Sequence, residues 1–277
     1  MAPYFALALL GAESTGKSCL ALQLKACFVL AGFSVFLQSE LLRLWCEKNQ
    51  SLPSQQDQHF ILAEQIKAQN DWHLNARANF NDDCFIQNLS VTGLVKNPTP
   101  IIFISDTAAL QTAAYSHYYF ADNSLDESAL IAHDFFDFSF LMGLDLPWQQ
   151  DPLRTGPDSQ MPVDSRLRQL LSRTNHNALF STVYGHHQQR IMNAWTALQK
   201  HKRLVGLLPD WPDIIELANK NSSNVLLPLQ TLLEPSLKIQ NRNQDHLENG
   251  LRRWGHFCEN CADGECEKKL FSQLKRN

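Results

Sequence analysis

The sequence predicts an α/β domain: a parallel sheet covered by helices on both faces. Three observations predict it. Short apolar runs alternate with helix-length segments along the first 200 residues, the rhythm of a parallel sheet with crossover helices. A glycine-punctuated loop, Gly11 to Ser18, joins the first run to the first helix. Polar side chains suited to chemistry, Glu40, Asp106, Asp145 and Tyr184, recur at the carboxyl ends of the runs, where such sheets bind their ligands.

The elements follow in order. Tyr4-Phe5-Ala6-Leu7-Ala8-Leu9-Leu10 reads as a buried strand, and Cys19 to Ala31, apolar nearly all round, as a buried helix. Between them Gly11-Ala12-Glu13-Ser14-Thr15-Gly16-Lys17-Ser18 has two glycines four residues apart, then Lys and a hydroxyl residue. The spacing fits a polyphosphate wrapped by backbone N–H groups: Gly11 and Gly16 stand where a side chain would block close approach, and Glu13, Ser14 and Thr15 supply the loop between them. Lys17 can reach the β- and γ-phosphates and the Ser18 hydroxyl can ligate Mg²⁺. A strand, this loop and a helix in sequence are the phosphate-binding unit of a P-loop NTPase, with ATP and Mg²⁺ as the expected ligands, and the residues at the other strand ends make the expected fold class nucleoside- or nucleotide-kinase-like.

Ala31-Gly32-Phe33 is a turn, Ser34 to Gln38 a second strand, and Glu40 opens a helix at that strand's end. Ser54 and Asp57 form a capping box for a helix running towards Arg77. Asn79 to Pro100 reads as a loop or insertion. Ile101 to Ile104 is a strand ending in Ser105-Asp106-Thr107, followed by a helix from Ala108 to Phe120. Phe135 to Met142 is a strand leading to Asp145-Leu146-Pro147-Trp148. The Pro- and Gly-rich stretch Asp151 to Asp158 reads as a lid carrying Arg154, with Arg166 and Arg168 on the helix behind it. Phe180 to Tyr184 is the last strand, and His187 to Lys200 a helix. From Asn221 the pattern dissolves, so residues 1–220 are expected to form the domain and 221–277 a linker with a Cys-rich extension.

Composition narrows the classes. A formal charge of −4 over 277 residues gives no electrostatic reason to bind nucleic acid. No run approaches the length of a membrane span. The apolar start lacks a basic region and leads straight into the loop, which reads as strand rather than signal peptide, so a cytoplasmic setting is expected. In that reducing compartment the seven cysteines suggest metal binding or burial before disulfides.

Several candidate residues have two readings. Asp106 either holds Mg²⁺ with Ser18 or caps the following helix. Glu40 either takes a proton from the accepting hydroxyl or answers a helix dipole, with Arg43 one turn on as its pairing partner. Arg154 is a phosphate contact, since a loop of this kind has little structural use for it. Trp148 is a stacking surface or plain core. Tyr115, Tyr118, Tyr119 and Phe120 read as core, and Cys19, Cys27, Cys46 and Cys84 as small buried hydrophobes.

Several stretches resemble one family, the nicotinamide riboside kinase domain of NadR-type NAD-salvage proteins, itself AAA/P-loop ATPase-like. They are Gly11 to Leu20, Glu40 to Arg43, Ser105 to Thr112, Tyr118 to Phe120, Leu144 to Trp148 with Asp151 and Arg154, and Val183 to Gly185 with Arg190. They cover roughly Met1 to Lys202 in the family's order. The resemblance implies ATP-dependent phosphorylation of a nucleoside hydroxyl. Lys17, Asp106, Glu40 and Arg154 would carry catalysis, and Arg43, Asp145 and Trp148 the small-molecule nucleoside, Trp148 stacking on a pyridinium ring. Asp151 is followed by Pro152 where the family usually has Gly. No adenylyltransferase domain is expected. The rival readings are a regulatory ATPase or GTPase, and a nucleotide-gated binding module whose tail recruits a protein partner.

In the extension, His256, Cys258, Cys261 and Cys266 fall within eleven residues. Cys-x-x-Cys with Gly264 allowing a fold back makes these four a candidate Zn²⁺ site, with His246 in reserve. An iron–sulfur cluster would need a fourth cysteine from elsewhere. The plain alternative is a polar tail with reduced thiols.

Overall fold

The computed structural model describes residues 4–49, 51–79, 100–148, 157–174 and 179–220. The chain runs β1 (Tyr4–Leu10), α1 (Lys17–Leu30), β2 (Val35–Gln38), α2 (Leu41–Asn49), α3 (Gln55–Asn79), β3 (Ile101–Asp106), α4 (Ala109–Phe120), α5 (Asp126–His133), β4 (Phe138–Met142), α6 (Gln160–Leu171), β5 (Leu179–Val183), α7 (Gln188–Gln199) and α8 (Trp211–Lys220). The five strands are all parallel, in the order β2-β3-β1-β4-β5. The central β1 is buried at every residue, as expected for a strand covered on both faces.

Strand periodicity divides the core in two. Phe5, Leu7 and Leu9 join Ile102, Ile104, Phe140 and Met142 against α1, α7 and α8. Tyr4, Ala6, Ala8 and Leu10 join Phe103 and Leu141 on the face of α3, α4, α5 and α6. Small residues on that second face, Ala6 and Ala8 of β1 against Ala109, Ala113 and Ala114 of α4, are all buried. Each fully buried large apolar side chain, Phe5 and Trp195 among them, contributes about 1.5–3 kcal/mol.

The capping box at α3 forms as expected. The Ser54 N–H and hydroxyl both donate to Asp57 Oδ2, at 2.8 and 2.6 Å, and the Asp57 N–H returns to Ser54 Oγ. Other boundaries differ from expectation. Helix α1 begins at Lys17 rather than Cys19, so Lys17 and Ser18 belong to its first turn. Strand β4 starts at Phe138, because Phe135 and Phe136 are held in the turn that closes α5 by N–H bonds to Ala132 and His133 carbonyls. Strand β5 ends at Val183, which leaves Tyr184 just beyond it.

Helices α5 and α8 are additions to the sequence reading. Their signals were an acidic first turn, Asp126 and Glu127, and a Trp-Pro start at Trp211. Tyr115 is core as expected, whereas Tyr119 and Phe120 are exposed at 41% and 36%. Cys27 and Cys46 are buried thiols as expected, whereas Cys19 of α1 is only half-buried. Burial pushes the Cys27 pKa up to about 12, which makes it inert. Among the described residues no helix is long and apolar enough to cross a membrane.

Candidate functional site

The phosphate loop lies between the carboxyl end of β1 and α1, and its glycines are sterically required. A Cβ on Gly11 would lie 2.8 Å from Met142 Cβ and 2.9 Å from Thr15 Oγ1. Gly16 has φ 77°, a left-handed conformation, and a Cβ there would meet Leu146 Cδ1 at 3.1 Å. Ser14 also takes a positive φ, 56°. Left-handed residues in such a loop turn successive N–H groups towards one concavity, the geometry of an anion nest. The Lys17 ammonium arches back over the loop and donates to the Gly11 and Ala12 carbonyls, each at 2.9 Å. A cation, a cradle too tight for side chains and the start of α1 fit a polyphosphate.

Side chains hold the loop both from outside and from within. Thr15 Oγ1 donates to the Ala12 carbonyl at 2.8 Å. Gln111 of α4 accepts from the Gly11 N–H at 3.1 Å. Gln160, first residue of α6, donates to the Glu13 carbonyl at 2.9 Å. Arg190 of α7, only 4% exposed, donates to the Thr15 carbonyl at 2.9 Å. The Glu13 carboxylate accepts from the Tyr119 hydroxyl at 3.4 Å. Gln111, Gln160 and Arg190 had no role assigned to them from sequence. Gln111 and Arg190 lie within the stretches that carry the family resemblance, and nothing local marks Gln160.

Asp106 ends β3, opposite Leu9 in the ladder with β1. Strand alternation puts it on the same face as Ile102 and Ile104, the face of α1, whose first turn carries Ser18. It is 7% exposed. A buried carboxylate and a hydroxyl on one side of the loop form a donor set that fits Mg²⁺. The next residue, Thr107, has φ 88°, a strained conformation for a β-branched side chain, and its carbonyl accepts from Ser105 Oγ at 3.2 Å. Ser105 Oγ also lies 3.3 Å from Gln38 Oε1, linking this turn to the end of β2. Glu40 follows β2 by two residues, half-buried, immediately before α2.

The segment after β4 packs against the loop through Leu146. Asp145 is engaged within the chain. Its Oδ2 accepts from the Gly185 N–H at 2.6 Å and its Oδ1 pairs with Arg190 Nη2 at 2.5 Å. Arg190 Nε completes the set by donating to the Gly185 carbonyl at 2.8 Å. Burial lowers the Arg190 pKa and the Asp145 charge opposes that shift. Tyr184 covers Gly143 so closely that a Cβ there would fall 2.3 Å from its ring. Trp148 is half-buried, and its indole Nε1 is buried with no hydrogen-bond partner among the described residues.

The arginines on the helix behind the expected lid are engaged with neighbouring carboxylates. Arg166 is paired with Asp126 at 2.5 Å and with Asn123 at 2.8 Å, so α5 takes its charge. Arg168 bonds Asp164 one turn back, which raises its pKa, with Tyr184 contributing in the same direction. Arg154, Asp151, Cys84 and the Cys-rich residues His256, Cys258, Cys261 and Cys266 lie outside the described residues. So does the side chain of Arg43, a residue of α2. Among the described residues no cluster of three or more His, Cys, Asp or Glu could hold a metal ion.

No curated protein matches the sequence. A family model described as the AAA domain matches residues 6–190, well over half of the chain. That span opens within β1 and closes on Arg190, so it takes in most of β1, the other four strands and the loop with Gln111, Gln160 and Arg190 that hold it from outside. The chain therefore belongs to the AAA domain family, as a nucleotide-binding P-loop domain.

Proposed function

We propose that the protein is an ATP-dependent phosphotransferase that moves the γ-phosphoryl group to a ribose hydroxyl of a small nucleoside, nicotinamide riboside being the favoured acceptor. The observation that carries this reading is the segment after β4. It packs on the phosphate loop at Gly16 and bears a half-buried Trp148 whose indole N–H has no partner among the described residues. An indole two residues along the chain from that contact offers a flat face for a cationic ring and a donor for a polar substituent.

In the reaction the acceptor oxygen bonds to Pγ, the bond from Pγ to the β-bridging oxygen breaks, and Glu40 takes the hydroxyl proton. Lys17 and the loop N–H groups neutralise charge on the transferred group, and Arg154 adds to them. Ser18 and Asp106 would hold Mg²⁺, which supplies further neutralisation of the phosphates. Trp148 and Arg43 contact the nucleoside, and Asp145 holds the segment that carries Trp148.

A thermal-shift screen of nucleosides with a non-hydrolysable ATP analogue tests the reading, followed by an ADP-release assay on the hits. Nicotinamide riboside is expected to raise the melting temperature only when the ATP analogue is present, and to stimulate ADP release. Turnover indifferent to every nucleoside but stimulated by a protein would favour the regulatory NTPase. Tight nucleotide binding with no turnover would favour the binding module.

A further inference from the structure

We propose that Gln160 and Arg190 are positioning residues of the phosphate loop, each holding one carbonyl outward so that the N–H of the same peptide faces the bound phosphates. The inference rests on the nucleotide-binding reading and goes beyond it in saying what keeps the loop in shape. In a planar trans peptide the C=O and the following N–H point in opposite directions. The Glu13 carbonyl is drawn towards Gln160 and the Thr15 carbonyl towards Arg190, so the Ser14 and Gly16 N–H groups are turned the other way. Both residues have left-handed φ, 56° and 77°. Ser14 is not a glycine, so its conformation costs energy that something outside the residue must offset. The Gln160 bond on one side and the Arg190 bond on the other bracket it.

Arg190 is itself fixed. Asp145 accepts from its Nη2 and the Gly185 carbonyl from its Nε, and Asp145 also accepts from the Gly185 N–H. Its side chain is 5% exposed, so it cannot swing to meet a ligand as a surface arginine could. Asp145 is thereby a counter-ion and anchor for this tether.

The test uses binding of inorganic tripolyphosphate and of a non-hydrolysable ATP analogue to the full chain by calorimetry, with melting temperatures measured in parallel. Gln160→Met keeps the length of the side chain and removes the donor. It should weaken both ligands roughly 3- to 10-fold, the worth of one ordinary hydrogen bond, with the ligand-free melting temperature nearly unchanged. Gln160→Glu should weaken them at least as much. Arg190→Lys keeps the charge but loses the fork, and should weaken both ligands about 10- to 100-fold, the range for hydrogen bonds to a charged group. Unchanged tripolyphosphate affinity in folded Gln160→Met overturns the role of Gln160, and a lowered melting temperature with unchanged affinity in Arg190→Lys assigns Arg190 to packing alone. If Arg190→Lys does not fold, the Gln160 variants decide. A wild-type protein that binds neither probe overturns the nucleotide reading and this inference together, whereas wild-type binding with unaffected variants overturns only the inference.

Discussion

The Lys17 ammonium bonds two carbonyls of its own loop, and a half-buried lysine contributes little to apolar packing, so its charge can be removed with the fold intact. Lys17→Ala should fold and melt like the wild type while lowering kcat by at least roughly 10²–10³, the loss typical when one preorganised charge-stabilising donor leaves an active site. Normal turnover in the folded variant would sink the central assignment. Asp106→Asn keeps the volume of a nearly buried side chain and removes the charge. Nucleotide binding without Mg²⁺ should hardly change, while the Mg²⁺ concentration needed for half-maximal rate should rise at least tenfold. A normal Mg²⁺ titration would remove Asp106 from the site; it is not the cap of α4, whose N-cap position is Ala108 and carries no side-chain cap bond.

His133 carries a different prediction at the same scale. It is fully buried, its Nε2 lies 2.9 Å from Ser139 Oγ, and burial lowers its pKa from 6.5 to about 4. Between those values the unfolded chain binds a proton that the folded chain refuses. Stability therefore falls as pH drops from about 6.5 towards 4, by up to about 3 kcal/mol, and this contribution is constant above and below that window. His201 shifts in the same direction through burial and should add to the slope. Urea denaturation across the window, compared with His133→Gln, checks it: the variant should show a flatter profile.

At the scale of elements, the start of α3 was fully legible because a capping box is local chemistry. Ser54→Ala should cost about 1 kcal/mol by removing the side-chain cap, read as a lower urea midpoint with unchanged slope. The start of α1 was misjudged by two residues, because the apolar pattern begins at Cys19 while the helical turn begins with the polar Lys17 and Ser18. Helix α5 escaped notice for a related reason. It spans eight residues and buries one of its acidic first-turn residues, Asp126, beneath Arg166 and Arg173. Sequence pattern gives a helix that short almost no periodicity to register. The strained turn at Thr107 left no trace in composition either, since threonine is an ordinary residue at a strand end.

For the whole molecule, nucleotide should stabilise the described domain by mass action. At a hundredfold excess over the dissociation constant the gain is about 2.7 kcal/mol, visible as a rise in melting temperature. No rise with ATP or a non-hydrolysable analogue would contradict the family assignment's chemistry. The Cys-rich extension has its own expected outcome, about one zinc per chain in protein purified without a His-tag. Cys258→Ser or Cys261→Ser should lose the metal and keep nucleotide binding. Metal analysis that finds neither zinc nor iron removes the site.

The sequence by itself determined the features whose physics is local. The loop from Gly11 to Ser18 declares its ligand because close approach to phosphate demands glycine at fixed spacing, and β1 declares burial on both faces because every one of its residues is apolar. Asp106 at a strand tip followed from the same short-range pattern. Only the tertiary structure decided the strand order β2-β3-β1-β4-β5, which sets Asp106 beside the loop and moves β2 with Glu40 one strand further out. It alone decided that Arg166 answers Asp126, and that Asp145 answers Arg190. The clamps on the phosphate loop join Gln160 to Glu13 across 147 residues and Arg190 to Thr15 across 175. Contacts at such separations are fixed by how the helices pack on the sheet, and no local propensity or spacing records them.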